Sequence, residues 1–282
     1  MPRNVNPRKR APRRKSNPKN QLRNRIFLLL FLCGTVALLI VLNKATLLRY
    51  LGFVTNRYEQ RASNAANTNQ RTKEVFTSFP KSTFGIDVSE YQGRIRWQEV
   101  DSAYGKPIEF VVLRATAGTN YVDKQFKGNW KAVRKLAVIR GAYHYFRPDE
   151  NSSAQAENFI KTVQLKPGDL PPILDIERVS SVQSLHNLRK GLRNWLDLVE
   201  AHYGVKPIIY SGKKFKEAFL EEEFSGYRFW IAAYTVTQRE FPPQQLFWQF
   251  SESGSIPGIR GPVDLNIYRG NSEALNRLTI GR

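Results

Sequence analysis

A chain of 282 residues with 41% hydrophobic and 12% aromatic content has apolar side chains enough for a sizeable core, which excludes a wholly disordered protein and leaves room for one large domain or two small ones. Its formal charge of +20 is unevenly placed: residues 1–25 hold ten Lys or Arg and no acid, against 28 basic and 22 acidic residues from Lys81 onward. The single cysteine, Cys33, excludes an intrachain disulfide, so an exported domain would be held by its core alone.

The basic tail, residues 1–25, could bind nucleic acid by releasing counterions from phosphates. The next segment favours a membrane instead. Ile26 to Leu42 is seventeen residues without a charge, about 25 Å of helix and the short end of what crosses a bilayer. Ten positive charges before this run, against Lys44 and Arg49 just after it, put the amino terminus in the cytoplasm. A cleaved signal peptide would end on small residues one and three before the cut, a pattern absent from Asn43 to Arg49. One retained transmembrane helix is therefore expected over 26–42, and no nucleic-acid partner. Residues 43–82 are polar, rich in Asn, Thr, Ser and Arg, and without useful periodicity; they read as a linker, with Phe76 and Phe79 able to dock on the domain that begins at residue 83.

From there on, short apolar runs alternate with helical stretches. The runs Phe84–Val88, Phe110–Thr116, Val138–Phe146, Pro172–Ile176, Pro207–Tyr210, Phe229–Tyr234, Leu246–Phe250 and Val263–Tyr268 are eight candidate strands. Helices are expected near Trp97–Tyr104, Lys124–Lys135, Ser153–Gln164 and Ser181–Tyr203, an alternation that implies parallel strands with crossover helices. The last helix is the clearest, with Val182, Leu185, Leu188, Leu192, Trp195, Leu196, Val199 and Tyr203 on one face and Gly204 as its stop. The strands read as nearly continuous apolar runs, as strands buried on both faces do. The fold class is α/β: a barrel of eight strands with an incomplete ring of helices, whose chemistry would collect at the carboxyl face.

The sharpest local signal is the strand Pro172-Ile173-Leu174-Asp175-Ile176-Glu177, which ends on two acids two residues apart. Positions i and i+2 of a strand face the same way, so Asp175 and Glu177 project together. Close carboxylates cannot both ionise freely, and one of them is held protonated nearer to neutral pH. A metal site or a salt-bridged rim would look the same from this motif alone. Two further acids near strand ends strengthen the catalytic reading: Asp87 closes Phe84–Val88, and Asp264 opens the final run.

Seven motifs occur in one order: Asp87-Val88-Ser89-Glu90-Tyr91-Gln92-Gly93, Phe110–Gly118, Gly141–Phe146, Leu174–Glu177, Trp230–Tyr234, Trp248-Gln249-Phe250 and Val263–Asn266. In these motifs and their order the chain resembles glycoside hydrolase family 25, the lysozymes of fungi, bacteria and phage. The resemblance spans Phe84 to Tyr268. It implies a flattened (β/α) barrel over 83–282 that hydrolyses the β-1,4 bond between N-acetylmuramic acid and N-acetylglucosamine with retention. Glu177 falls on the general acid, Asp175 on the acid that assists the substrate's acetamide, and Asp87 and Asp264 on the remaining acids of the pocket. Asp87 could be nucleophile, stabiliser or ligand. Departures stand at Ala117 and Ala233, where relatives often carry polar residues. The partner implied is peptidoglycan, the expected state a monomer, and the expected location a bacterial inner membrane with the catalytic domain on its outer side.

Tyr145, Tyr210, Trp230, Tyr234 and Trp248, with Gln249, are the candidate sugar contacts, although an aromatic in a strand is as readily a core residue. His144, His186 and His202 lack metal-binding spacing, so no metal is expected. The glycines form no phosphate-binding loop, and no cofactor is expected. Two other readings stay open: a glycan-binding module without turnover, and a chitin-type N-acetylglucosaminidase.

Overall fold

The computed structural model describes residues 68–234 and 245–281, together with Leu29 and Thr35. The expected tail and membrane span otherwise lie outside the described residues, among which no helix is long and apolar enough to cross a membrane.

Eight strands close into a barrel: β1 Thr83–Val88, β2 Phe110–Ala117, β3 Ile139–Tyr145, β4 Ile173–Asp175, β5 Ile208–Gly212, β6 Arg228–Ala232, β7 Phe247–Gly254 and β8 Val263–Tyr268. Each expected apolar run supplies one of them. Neighbours from β1 to β7 are parallel, and β8 closes the ring antiparallel to both β7 and β1. That reversal has a direct consequence for the site: the first residues of β8, not the last, lie at the carboxyl face of the other seven strands.

Crossover helices α1 Phe126–Val133, α2 Ser152–Thr162 and α3 Leu185–Tyr203 follow β2, β3 and β4. The ring of helices is incomplete as expected. Helix α3 starts at its cap, where Ser184 accepts the Asn187 N–H, and stops at Gly204 with φ of 67°. Val182 precedes it and is 80% exposed, because Ser180 Oγ accepts the Val182 and Gln183 N–H groups and holds them in a loop. The helix expected over Trp97–Tyr104 is a single 3-10 turn at Trp97–Glu99 followed by a two-residue hairpin, Ser102–Ala103 with Lys106–Pro107. Tyr104 and Gly105, both at positive φ, make the turn that breaks the helical pattern.

The alternation of the strands separates two apolar cores. Inside the barrel Phe110, Val112, Ile173, Ile208, Trp230, Phe247 and Tyr268 fill the lumen. Outside it Leu113, Leu174, Ile176, Ile209, Ile231 and Trp248 meet the helices. Gly85 faces inward, where an added Cβ would lie 2.5 Å from the Phe110 ring, so a side chain there would displace the floor of the barrel.

Of the segment expected as a linker, 43–82, residues 68–82 are described. Residues 68–78 are helical and pack on the outer face of β7. Val75 and Phe79 are buried, Phe76 meets Phe84 and Phe250 edge-on, and Phe79 meets Trp248. The Arg71 guanidinium donates to Phe250 O at 2.7 Å and to Ala233 O at 3.1 Å. The helix escapes an apolar-period reading because much of its contact face is polar: Arg71 reaches two strand carbonyls, Thr68 Oγ1 meets Ser251 Oγ, and buried Thr72 donates back to Thr68 O. The Phe79→Ala variant is expected to lose about 3 kcal/mol of unfolding free energy. Denaturant titration checks this, and a loss under about 0.5 kcal/mol would mean that the segment only rests on the barrel.

Candidate active site

The barrel's register sets the floor of the site. Tyr145, Asp175, Tyr210 and Trp230 are in-register partners across β3, β4, β5 and β6, so their side chains share the inward face in one row. Asp87 and Asp264 are directly opposed in the β1–β8 ladder. Like charges at such a spacing are destabilising unless a proton is shared; a hydrogen bond joins the two carboxyls, and burial pushes both upward.

Two carboxamides lock Asp87. Gln249 Nε2 donates to its Oδ2 at 2.8 Å and Asn266 Nδ2 donates to the same oxygen at 2.7 Å. Each carboxamide is oriented in turn: Gln249 Oε1 accepts the hydroxyls of Tyr210 at 2.8 Å and Tyr234 at 2.6 Å, while Asn266 Oδ1 accepts the Trp230 indole N–H at 2.9 Å. Tyr210, Tyr234 and Trp230 thus act on the acids through amide groups. Trp230, 3% exposed, is the floor beneath them and not a stacking face.

Asp175 is 6% exposed, and its Oδ1 has no hydrogen-bond partner among the described residues. Glu177, two residues on, is exposed. Burial, then the negative charge of Glu177, then that of Asp87, push the Asp175 carboxyl well above its ordinary range. The charge of Glu177 also acts on Asp87, Asp264, Tyr210 and Tyr234, so the four acids lie close enough to influence one another. Of the Asp175–Glu177 pair, Asp175 is the buried member, and burial is the largest cause of its raised pKa.

Of the candidate residues, the structure gathers Asp87, Asp175, Glu177, Asp264, Tyr210, Tyr234 and Gln249 around this mouth, with half-buried Tyr145 beside Asp175. Trp248 is a correction. It is 1% exposed on the outer face of β7, against Phe79, with its indole N–H donated to Ala233 O. Phe247 and Gln249 face inward, so the residue between them cannot. The same alternation turns Ala233 outward, and its substitution touches no acid. His144 is fully buried outside the barrel, stacked on Trp195, its Nδ1 2.7 Å from Thr116 Oγ1. Burial lowers its pKa to about 4, and it is structural.

Asn266 and Arg114 are the residues that a reading of the sequence passes over. Asn266 follows Asp264 by two positions in β8 and so shares its face. Arg114 follows Val112 by two in β2, and its charge opposes the upward shift of Asp175.

Asp87 yields a stability prediction. Burial, opposed by its Asn266 and Gln249 bonds, raises its pKa from 3.8 to about 6. A carboxyl that holds its proton more tightly when folded contributes stability that is complete below about pH 4 and lost as pH rises through about 6. The change corresponds to about 3 kcal/mol. Unfolding titrations at pH 4 and pH 7 should show the wild type weaker at pH 7, with the Asp87→Asn variant losing less across that window. A wild type that gains stability over it would contradict the assignment.

Residues 86–259 match the profile described as Glycosyl hydrolases family 25. The chain is 40% identical over 200 residues to the protein YegX of Escherichia coli strain K12, covering 70% of this chain and 73% of that one. It is 33% identical over 207 residues to Lysozyme M1 of Streptomyces globisporus, covering 68% and 69%. Among solved structures, the bacterial lysozyme from Streptomyces coelicolor superposes with a TM-score of 0.63 at 31% identity, covering 70% of this chain and 96% of that one. The barrel, its gathered acids and these likenesses agree, and the chain belongs to glycosyl hydrolase family 25.

Proposed function

We propose that the chain is a lysozyme, cleaving the β-1,4 bond between N-acetylmuramic acid and N-acetylglucosamine of peptidoglycan with retention of configuration. The observation that carries this reading is the unequal pair at the end of β4: exposed Glu177 beside buried Asp175, whose carboxyl burial pushes up and whose Oδ1 lacks a partner among the described residues. A buried acceptor facing a mouth is where a substrate donor belongs.

A sugar covering Glu177 removes it from water, which favours its neutral form, while the acetamide N–H supplies Asp175 with the hydrogen bond that favours a carboxylate. The proton of the pair thereby moves to Glu177. Glu177 O–H then protonates the glycosidic oxygen as the C1–O bond breaks, and the acetamide carbonyl oxygen bonds to C1. Asp175 accepts the N–H of the cyclic cation. Glu177, now a carboxylate, takes a proton from water as the water oxygen attacks C1 and the acetamide C–O bond opens, so two inversions give retention. Asp87 is poorly placed to be the nucleophile, because two amide donors and Asp264 already occupy its oxygens.

N-deacetylated peptidoglycan tests this route. The full-length chain should release reducing ends from acetylated strands and at least a hundredfold fewer from deacetylated ones; equal rates would rule out the acetamide as nucleophile. Sedimentation with peptidoglycan but no release from either would favour a binding module.

The location proposed is the outer side of a bacterial cytoplasmic membrane, with residues 26–42 as anchor. The support is the uncharged run and the ten cationic residues before it. Alkaline-washed membranes should retain the chain and lose it on deletion of 26–42.

A further inference from the structure

One exposed aromatic at the mouth is held too firmly for a surface accident. Tyr91 is 81% exposed, in the single 3-10 turn Glu90–Gln92 that follows β1 and its Asp87. The turn is fixed by a capping box in which Ser89 Oγ accepts the Tyr91 N–H and Gln92 Oε1 accepts the Ser89 N–H.

Beneath the ring lies a cluster of nearly buried charges that the hydrolytic steps do not use. The Arg114 guanidinium carbon is 4.7 Å from the Tyr91 ring centroid and 5.9 Å from that of Tyr121. Arg114 Nε donates to Asp123 Oδ2 at 3.0 Å, and its Nη2 is paired with Glu90 at 3.3 Å. Glu90 accepts the Tyr121 hydroxyl, and its own backbone N–H is donated to Asp123 Oδ2 at 2.8 Å. The side chains of Arg114, Glu90 and Asp123 are 11%, 17% and 1% exposed. Taking three charges from water is costly, and what they hold is one phenol ring whose outer face meets solvent. Arg114 is also close enough to Asp175 for its charge to act there, which puts the ring one side chain away from the acids.

We infer that Tyr91, braced by Arg114, is a stacking platform for a pyranose ring of the glycan strand beyond the bond that is cut. Pyranose rings carry a face of axial C–H groups that packs on an aromatic face, and a cation on the ring's opposite side leaves that ring already ordered. Binding then avoids the cost of immobilising it. The inference deepens the lysozyme reading and rests on it for the identity of the strand.

The test compares the wild type with Tyr91→Ala and Tyr91→Trp, using purified full-length chains on long peptidoglycan strands and on strands trimmed to two disaccharides. The Ala variant should raise KM for long strands about tenfold, with kcat within twofold and little change on the trimmed strands, and the Trp variant should keep KM near wild type. An unchanged KM on long strands would overturn the platform, and an equal rise on both substrates would overturn its place beyond the cut. Tyr91 is exposed, so its loss should leave the melting temperature unchanged. A wild type that cuts neither substrate would refute the lysozyme reading, and sedimentation of the Ala variant with long strands would still decide the platform.

Discussion

Replacing Glu177 by Gln is expected to lower kcat on purified peptidoglycan by about a thousandfold and to leave the melting temperature unchanged. The size follows from the role. A positioned proton donor contributes roughly 10²–10⁴ in rate, and glutamine has the shape of glutamic acid without the transferable proton. The absence of a stability effect follows from exposure: Glu177 is on the surface of the mouth, unlike the three acids beside it. Reducing-end release and thermal unfolding on the same preparation check both parts. Activity within tenfold of wild type would remove Glu177 from the chemistry.

The Asp175→Asn variant separates catalysis from stability in the opposite sense. Burial, then Glu177, raise the Asp175 carboxyl well above its ordinary range, so the folded state resists its ionisation. Its contribution to stability is present at low pH and is lost as pH rises through the folded-state value. Asparagine does not titrate. The variant should therefore unfold at higher denaturant concentration than wild type in alkaline buffer and show little difference at acid pH, while kcat falls about a hundredfold because an amide cannot stabilise the cationic intermediate as a carboxylate does. A site that holds strain for function often shows this exchange of activity for stability. An Asn variant destabilised at alkaline pH would mean that the Asp175 carboxylate is already satisfied in the free protein.

Much of the fold was legible because its strands are buried on both faces and announce themselves as apolar runs. The Asp175–Glu177 pair was legible for the same reason that it works, two residues apart on an extended backbone. What the sequence could not show was direction and register. Nothing in Val263–Tyr268 says that β8 runs against its neighbours, yet only that reversal brings Asp264 opposite Asp87. Trp248 carries an aromatic signature as strong as that of Trp230, and the face each one takes depends on the phase of its strand. The helix over 68–78 was hidden by a contact face that includes Thr68, Arg71 and Thr72, polar side chains that read as solvent-facing until the Phe250 and Ala233 carbonyls opposite Arg71 are known. Asn266 shows its role only when the Trp230 indole and Asp87 are seen on either side of it.

The identity of the newly formed chain end tests the central claim most directly. Purified peptidoglycan digested with the full-length chain, reduced with borohydride and analysed by mass spectrometry should yield fragments ending in reduced N-acetylmuramic acid. Fragments ending in reduced N-acetylglucosamine, or no new ends from active protein, would contradict it.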